Sequence, residues 1–184
     1  MAWTNRIFGF AIAATVYLLD QAIKGLMVGP LQLRERDEIY LLPFFNLKWT
    51  QNFGVSLGMF SASSPEMLMM LIGLTGLIAA VVVVWMLREQ AFGEIAALGL
   101  ILGGALGNIH DRATLGYVID YADLHIGEFR PFLIFNLADA AITIGVLIIL
   151  ARSFFLREKE GEAVDDAAPD NDRADRPEEN PDHA

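Results

Sequence analysis

The feature that most constrains this chain is an apolar stretch at residues 67–87 that contains no charged side chain. A helix needs about 20 apolar residues to cross a bilayer, and this stretch meets that length alone. Three further stretches approach it, at residues 7–28, 91–109 and 132–155. Their polar residues must lie near helix ends or face the interior of a bundle. We therefore predict an all-α membrane protein with four transmembrane helices.

The acidic charge of the chain belongs mainly to its C-terminal end. Residues 158–184 contain eleven acidic and three basic residues, and so contribute −8 of the formal charge of −10. This segment has almost no large apolar residue, and we predict an acidic, disordered tail. The remaining residues, 1–157, form the predicted membrane domain. No basic patch suggests nucleic-acid binding. Because the chain has no cysteine, disulfides and thiolate chemistry are excluded.

Two long connections join the predicted helices, at residues 29–66 and 110–131, whereas residues 88–90 form a short link. Alternating polar and apolar residues at 46–51 are typical of a strand, so we expect a small β-rich loop domain. With four spans, both termini lie on one side of the membrane and both long loops on the other. The positive-inside rule does not orient the chain, because basic residues flank the helices on both sides.

Polar residues of the predicted helices converge on the side of the long loops. Asp20 and Lys24 are four residues apart near the far end of the first helix, so they can form an ion pair on one face. We favour a structural role for this pair over direct chemistry. The third helix has glycine at every fourth position, at Gly99, Gly103 and Gly107, and Gly104 widens this smooth face. The spacing predicts close packing against a neighbouring helix. The polar residues Asn108 and Arg112 continue the line from Gly104 at steps of four.

Two aspartates carry the clearest chemical possibility. Asp120 follows the third helix, and Asp139 lies near the start of the fourth, three residues after Asn136. If the chain brings the two carboxyls together in a low-dielectric site, they will share one proton. The ionised carboxyl could then activate water while the protonated one polarises a carbonyl, as in aspartyl proteases. The alternative is that each aspartate caps a helix or pairs with Arg112.

Other candidates are less favourable. Asp111 is predicted on a different helix face from Arg112, and Asp123 as a solvated loop residue. Ser56 lies in a G-x-S-x-G pattern, but that motif requires an α/β sheet that this chain cannot build. His110 and Asp111 have no partners at metal-ligand spacing, so we expect no metal site.

Several motifs occur together in one order, and this order resembles the bacterial lipoprotein signal peptidase (signal peptidase II) family. The motifs are Asp20-Gln21-x-x-Lys24, Gln51-Asn52-Phe53-Gly54-Val55-Ser56, Gly103-Gly104-Ala105-Leu106-Gly107-Asn108-x-x-Asp111-Arg112, Val118-Ile119-Asp120 and Phe135-Asn136-Leu137-Ala138-Asp139. The resemblance covers residues 1 to about 155. Ser56 departs from it, since the family often has alanine there, and so does the acidic tail.

The resemblance implies a role for each matching residue. Asp120 and Asp139 match a catalytic aspartyl dyad. Three residues match polar positions that support the dyad and the substrate backbone: Asn108, Arg112 and Asn136. Asn52 and Gly54 match the first-loop motif that lines the site. Asp20, Lys24 and Gly104 match positions for which we expect structural roles.

The resemblance also implies an activity and a location. The expected enzyme is an aspartic endopeptidase without a cofactor, acting in the bacterial inner membrane as a monomer amid membrane lipid. It removes the signal peptide of diacylglyceryl-modified prolipoproteins, just before the lipidated cysteine. Its termini and tail are expected in the cytoplasm, with the loops and active site on the outer, periplasmic side.

Two other readings are compatible with the charge and hydropathy pattern. Buried charges at Asp20, Lys24, Arg112 and Asp139 could line a proton path in a small transporter. A non-catalytic membrane scaffold could instead use the acidic tail to bind a partner.

Overall fold

The computed structural model describes residues 2–54 and 64–165. Four of its helices are long and apolar enough to span a membrane, at Trp3–Val28, Pro65–Arg88, Phe92–Leu115 and Leu137–Phe154. They belong to helices α1 (Ala2–Val28), α3 (Pro65–Arg88), α4 (Phe92–Leu115) and α5 (Leu137–Asp165); α2 is the short helix Leu33–Arg36. The predicted four-helix membrane fold is therefore confirmed.

The loops form a three-stranded antiparallel sheet, which confirms the predicted β-rich loop domain. Its strands are β1 (Glu38–Leu42), β2 (Phe45–Asn52) and β3 (Val118–Leu124), in the order β1-β2-β3. Strand β3 brings the second long connection against the first: Thr50 pairs with Asp120 and Asn52 with Val118. The sheet thereby joins both loops at one end of the helices, and it places Asn52 beside Asp120.

The helix bounds differ from the predicted ones where polar residues continue a helix. Helix α4 was predicted to end at residue 109, but it continues to Leu115 and ends at Gly116, whose φ of 83° only glycine adopts without strain. Helix α1 begins at Ala2, before the predicted start at Ile7. Helix α3 begins at Pro65, two residues before the predicted start at Met67. Hydropathy detects contact with lipid, whereas a helix ends where its hydrogen bonds end. The prediction was wrong at these bounds for that reason.

Helix α5 was predicted to begin at residue 132 and begins instead at Leu137. Just before the helix, Phe135 exchanges backbone hydrogen bonds with Ala122 of β3. At the other end, α5 continues to Asp165, so the predicted disordered tail does not begin at residue 158. Residues 166–184 of the predicted tail lie outside the described residues.

Contacts divide the chain into two units, Met1–Leu150 and Ala151–Ala184. The first unit contains every residue predicted for the site. One apolar cluster of this unit joins α1, α3 and α4, and includes Ala13, Val82, Met86 and Leu98. A second cluster lies against the sheet and includes Met27, Leu33 and Tyr121.

Glycines allow α4 to approach two neighbouring helices, whereas their spacing predicted close packing against one. A Cβ on Gly103 would lie 2.5 Å from the carbonyl oxygen of Ala13 in α1. A Cβ on Gly104 would overlap the carbonyl oxygen of Ala138 in α5. Helix α4 is thus packed between α1 and α5, and it brings the polar ends of all three helices together.

Candidate active site

The predicted polar residues meet where α1, α4, β3 and the start of α5 adjoin. Asp120 lies in β3 with only 2% of its surface exposed, and Asn136 is 1% exposed. Asp139 is half-buried, so it is the more accessible of the two aspartates. The convergence that the hydropathy pattern predicted is therefore present in the fold.

Both carboxylate oxygens of Asp120 accept hydrogen bonds from asparagine side chains. Asn136 Nδ2 donates to Oδ1 at 2.6 Å, and Asn52 Nδ2 donates to Oδ2 at 3.0 Å. Because Asn52 ends β2 and Asn136 precedes α5, the Asp120 carboxyl is oriented by two separate elements. Neither donor carries a charge.

Asp139 is oriented by a reciprocal cap at the start of α5. Its backbone N–H donates to Asn136 Oδ1 at 2.9 Å, and its Oδ2 accepts from Asn136 N at 3.3 Å. Asn108 Nδ2 of α4 donates to Asp139 Oδ1 at 2.8 Å. Such a reciprocal cap provides hydrogen-bond partners for backbone N–H groups that have none in the first helical turn. It also explains why α5 begins after Asn136 and not earlier.

Asn136 connects the two aspartates. Its side-chain Nδ2 donates to Asp120, to Asn108 Oδ1 at 3.2 Å and to the Ile119 carbonyl at 3.3 Å. Its side-chain Oδ1 and its backbone N–H form the two hydrogen bonds with Asp139 at the start of α5. One buried residue thus contacts both carboxyls. Asn136 lies outside the helix, one residue before Leu137.

Burial changes the acidity of Asp120. Removal from water and, secondarily, the negative charge of Asp139 raise the pKa of Asp120 to about 7, against the opposing hydrogen bonds from Asn52 and Asn136. A carboxyl near neutral pKa exchanges protons readily at physiological pH. Burial likewise raises the pKa of the Tyr121 hydroxyl to about 12, which keeps it protonated.

Arg112 binds the first loop to the site. Its Nη2 donates to the Gly54 carbonyl at 2.8 Å and its Nη1 to the Asn108 carbonyl at 3.4 Å. Gly54 N in turn donates to Asn52 Oδ1 at 3.0 Å, which orients the amide that binds Asp120. The sequence suggested aspartates as partners for this arginine, but these hydrogen bonds connect it to backbone carbonyls.

Lys24 is buried between two aspartates, Asp20 and Asp111, and Asp111 was not among the residues predicted for the site. Its Nζ lies 2.8 Å from both Asp20 Oδ2 and Asp111 Oδ2, and 3.4 Å from Asn108 Oδ1. Asp111 lies three residues after Asn108 and seven after Gly104, so it shares their helix face. That spacing was the signal that could have identified it.

Asp123 was predicted to be solvated, and this prediction was wrong. It is fully buried and accepts hydrogen bonds from Arg130 Nε at 3.0 and 3.2 Å. Arg130, seven residues later in the chain, folds back over the end of β3. The hydrophilicity of the local sequence could not indicate this contact. Ser56 lies outside the described residues. In the described parts of the chain, no group of three or more His, Cys, Asp or Glu side chains could bind a metal ion.

Comparison with known proteins shows the family of this chain. A family model described as signal peptidase (SPase) II matches residues 12–155. The chain belongs to the signal peptidase II family. A lipoprotein signal peptidase of Sphingopyxis alaskensis is 54% identical over 165 residues, covering 90% of this chain and 94% of the relative. That of Rhizorhabdus wittichii is 53% identical over 154 residues, with coverages of 84% and 90%.

Two solved structures of bacterial membrane enzymes have a similar fold. A bacterial membrane enzyme determined by the in meso method matches with a TM-score of 0.70 and 27% identity, over 84% of this chain and 90% of the other. A second in meso structure of a bacterial membrane enzyme gives a TM-score of 0.66 and 28% identity. The chain is therefore a multi-pass bacterial membrane protein of a signal peptidase family, and a peptidase is a hydrolase.

Proposed function

We propose that this chain is an aspartic endopeptidase that removes the signal peptide from diacylglyceryl-modified prolipoproteins, just before the lipidated cysteine. The observation that carries the proposal is the Asp120–Asp139 pair. The two carboxyls are oriented by one shared residue, Asn136, at the end of four spans. The names of the relatives supply the substrate class.

The chemistry follows from sharing one proton between the two carboxyls. Asp139, the more accessible, takes a proton from water as the water oxygen attacks the scissile carbonyl carbon. Asp120 donates its proton to the carbonyl oxygen, which yields a neutral tetrahedral gem-diol. Protonation of the amide nitrogen by Asp139 then breaks the C–N bond, while Asp120 recovers a proton from a gem-diol hydroxyl. One water is consumed, and the pair regains its starting charge.

The position of the pair suits a substrate that stays in the bilayer. Acyl chains on the cysteine retain the substrate among lipids, whereas the scissile amide must meet water. Asp139 lies in the first turn of a spanning helix and Asp120 in the adjoining sheet. The reaction is therefore assigned to the edge of the membrane. We assign this edge to the outer, periplasmic face, with both termini in the cytoplasm.

Substitution of either aspartate tests the assignment. Purified Asp120→Asn and Asp139→Asn should lose processing of a lipidated prolipoprotein by about 10³-fold or more, since neither amide can exchange the shared proton. Mobility on a gel reports cleavage, and circular dichroism reports folding. Asp123→Asn is the matched control, because this buried aspartate does not contact the pair. A folded Asp120→Asn or Asp139→Asn variant with full activity would refute the dyad.

The transporter reading has a separate outcome. A proton path through the same charges would give flux in proteoliposomes that depends on Asp139, without peptide cleavage. We expect cleavage without such flux.

A further inference from the structure

A cluster of three charged side chains, Asp20, Lys24 and Asp111, lies beside the aspartate pair. We call it the ionic cluster. Asp20 is completely buried, and Lys24 and Asp111 are each 2% exposed. Gln21 Nε2 closes the cluster, since it donates to Asp111 Oδ1 at 3.0 Å and to Asp20 Oδ2 at 3.2 Å.

Each aspartate of the cluster also accepts a backbone N–H, and the two N–H groups occupy equivalent places. Asp111 Oδ2 accepts from Ile119 at 3.1 Å, one residue before Asp120. Asp20 Oδ1 accepts from Ala138 at 3.1 Å, one residue before Asp139. The backbone next to each member of the pair is thus bound by one carboxylate of the cluster.

Lys24 joins these two attachments, because its ammonium contacts both carboxylates at 2.8 Å. The chain of contacts runs from Ile119 through Asp111, Lys24 and Asp20 to Ala138. It connects the start of β3 with the start of α5 by way of α4 and α1. A change in the distance between β3 and α5 would break one of these contacts.

Energetics indicate what such a cluster contributes. Removing charges from water is costly, so buried ion pairs seldom add net stability over apolar residues of similar size. Their directional bonds do, however, define a geometry. Reaction rates depend steeply on that geometry, since a displacement of about 1 Å can cost about 100-fold in rate.

We infer that Asp111 is a positioning residue of the peptidase, and that with Lys24 and Asp20 it sets the separation of Asp120 and Asp139. It acts through the backbone of Ile119 and through Lys24, and it does not touch the reacting atoms. The inference rests on the proposed function, because it assumes that the pair carries out the reaction.

Two substitutions of Asp111 separate positioning from bulk stability. Asp111→Leu keeps the branched shape and the number of heavy atoms of the side chain, but it is somewhat larger and removes the acceptor for Ile119 and Lys24. Asp111→Asn keeps an oxygen that can occupy the Oδ2 position. In both variants Lys24 retains Asp20 as a single partner, so no unpaired charge is buried. Asp123→Leu is the matched control, since it removes a buried aspartate and its ion pair at the other end of β3.

Steady-state kinetics of the full chain on a lipidated prolipoprotein peptide, in detergent, give the first readout. We expect kcat of Asp111→Leu to fall by about tenfold to 100-fold, with KM within about twofold. Asp111→Asn should recover most of kcat. Asp123→Leu should lower the melting temperature while kcat of the folded protein is unchanged. Equal kcat in wild type and Asp111→Leu, or equal loss in Asp123→Leu, would overturn the inference.

Hydrogen–deuterium exchange gives a second readout that needs no activity. Exchange in peptides covering residues 117–122 and 136–141 should quicken in Asp111→Leu, and less in Asp111→Asn. If wild type cleaved nothing, the proposed function would fail, and faster exchange at both segments would still support the coupling. Unchanged exchange at residues 136–141 would refute it. If Asp111→Leu does not fold, Asp111→Ala and Asp111→Asn provide the same comparison.

Discussion

At the scale of single residues, the site is built from neutral donors placed around two carboxyls. Asparagines supply the hydrogen bonds to Asp120 and Asp139, and the cations Lys24 and Arg112 bind other groups. A cation in direct contact would keep both carboxyls ionised. Neutral amides orient them while burial and mutual repulsion retain one proton, as hydrolysis by an aspartate pair requires.

The pKa of Asp120 predicts how the activity depends on pH. The pair must retain one proton, so kcat/KM should fall above about pH 7, where Asp120 ionises. Asn52 donates to the ionised carboxylate and lowers this pKa; Asn52→Ala removes that stabilisation, so the alkaline limb should move to higher pH by roughly 0.5 to 1 unit. Initial rates between pH 5 and 9 measure the limb.

Asn46→Ala is the control for this experiment. Asn46 lies in the same strand as Asn52, but its side chain donates to Glu38 and not to the aspartate pair. Its alkaline limb should match that of the wild type. A limb that moves to lower pH in Asn52→Ala would contradict the assignment of the Asn52 bond.

At the scale of helices and strands, α4 determines the geometry of the site, because its glycines let it pack against both α1 and α5. Its polar face continues past the apolar run, so that Asn108 reaches Asp139, Asp111 reaches β3 and Arg112 reaches the first loop. The same helix therefore supplies the packing surface and three supporting side chains. Displacing it from α5 would separate Asn108 from Asp139.

Gly104→Ala tests this packing. The added methyl group would overlap the Ala138 carbonyl oxygen and lie 2.8 Å from Ile142 Cγ1, so α5 must shift. We expect a loss of about 1–3 kcal/mol in stability and a fall in activity, measured by melting temperature and by processing of a lipidated substrate. Gly73→Ala in α3 is the matched control, because a methyl group there meets no atom within 4 Å. Equal behaviour of the two variants would contradict the close approach.

At the scale of the whole molecule, the sheet and the aspartate pair lie at one end of the spans, and the link between α3 and α4 lies at the other. Orientation decides from which side the signal peptide is cut. The chain has no cysteine, so single cysteines can report each side without other changes. Tyr40 of β1 is 77% exposed, and Gln90 is exposed between α3 and α4.

Tyr40→Cys should react with a membrane-impermeant maleimide in cells whose outer membrane has been permeabilised. Gln90→Cys should react only after the inner membrane is opened, because we assign that end to the cytoplasm. Mass-tagged maleimide on a gel measures the labelling. Labelling of Gln90→Cys alone in intact inner membranes would reverse the assigned orientation.

Much of this protein was predictable from the sequence alone, and its spans illustrate why. Crossing a bilayer requires a local run of apolar residues, so the four helices and the side on which Asp20, Asn108 and Asp139 gather follow from composition and order. Glycine spacing indicated the packing face of α4. The ordered motifs named the family and the aspartate pair, although hydropathy alone left a proton path open.

Only the tertiary structure decided how these residues bind one another. Lys24 and Asp111 are 87 positions apart, and their contact depends on how α1 crosses α4. Asp123 is buried because Arg130 folds back over it, and Asn136 precedes α5 because Phe135 pairs with β3. Local sequence encodes which segments leave water, whereas the pairing of buried charges is decided by the packing of elements distant in the chain.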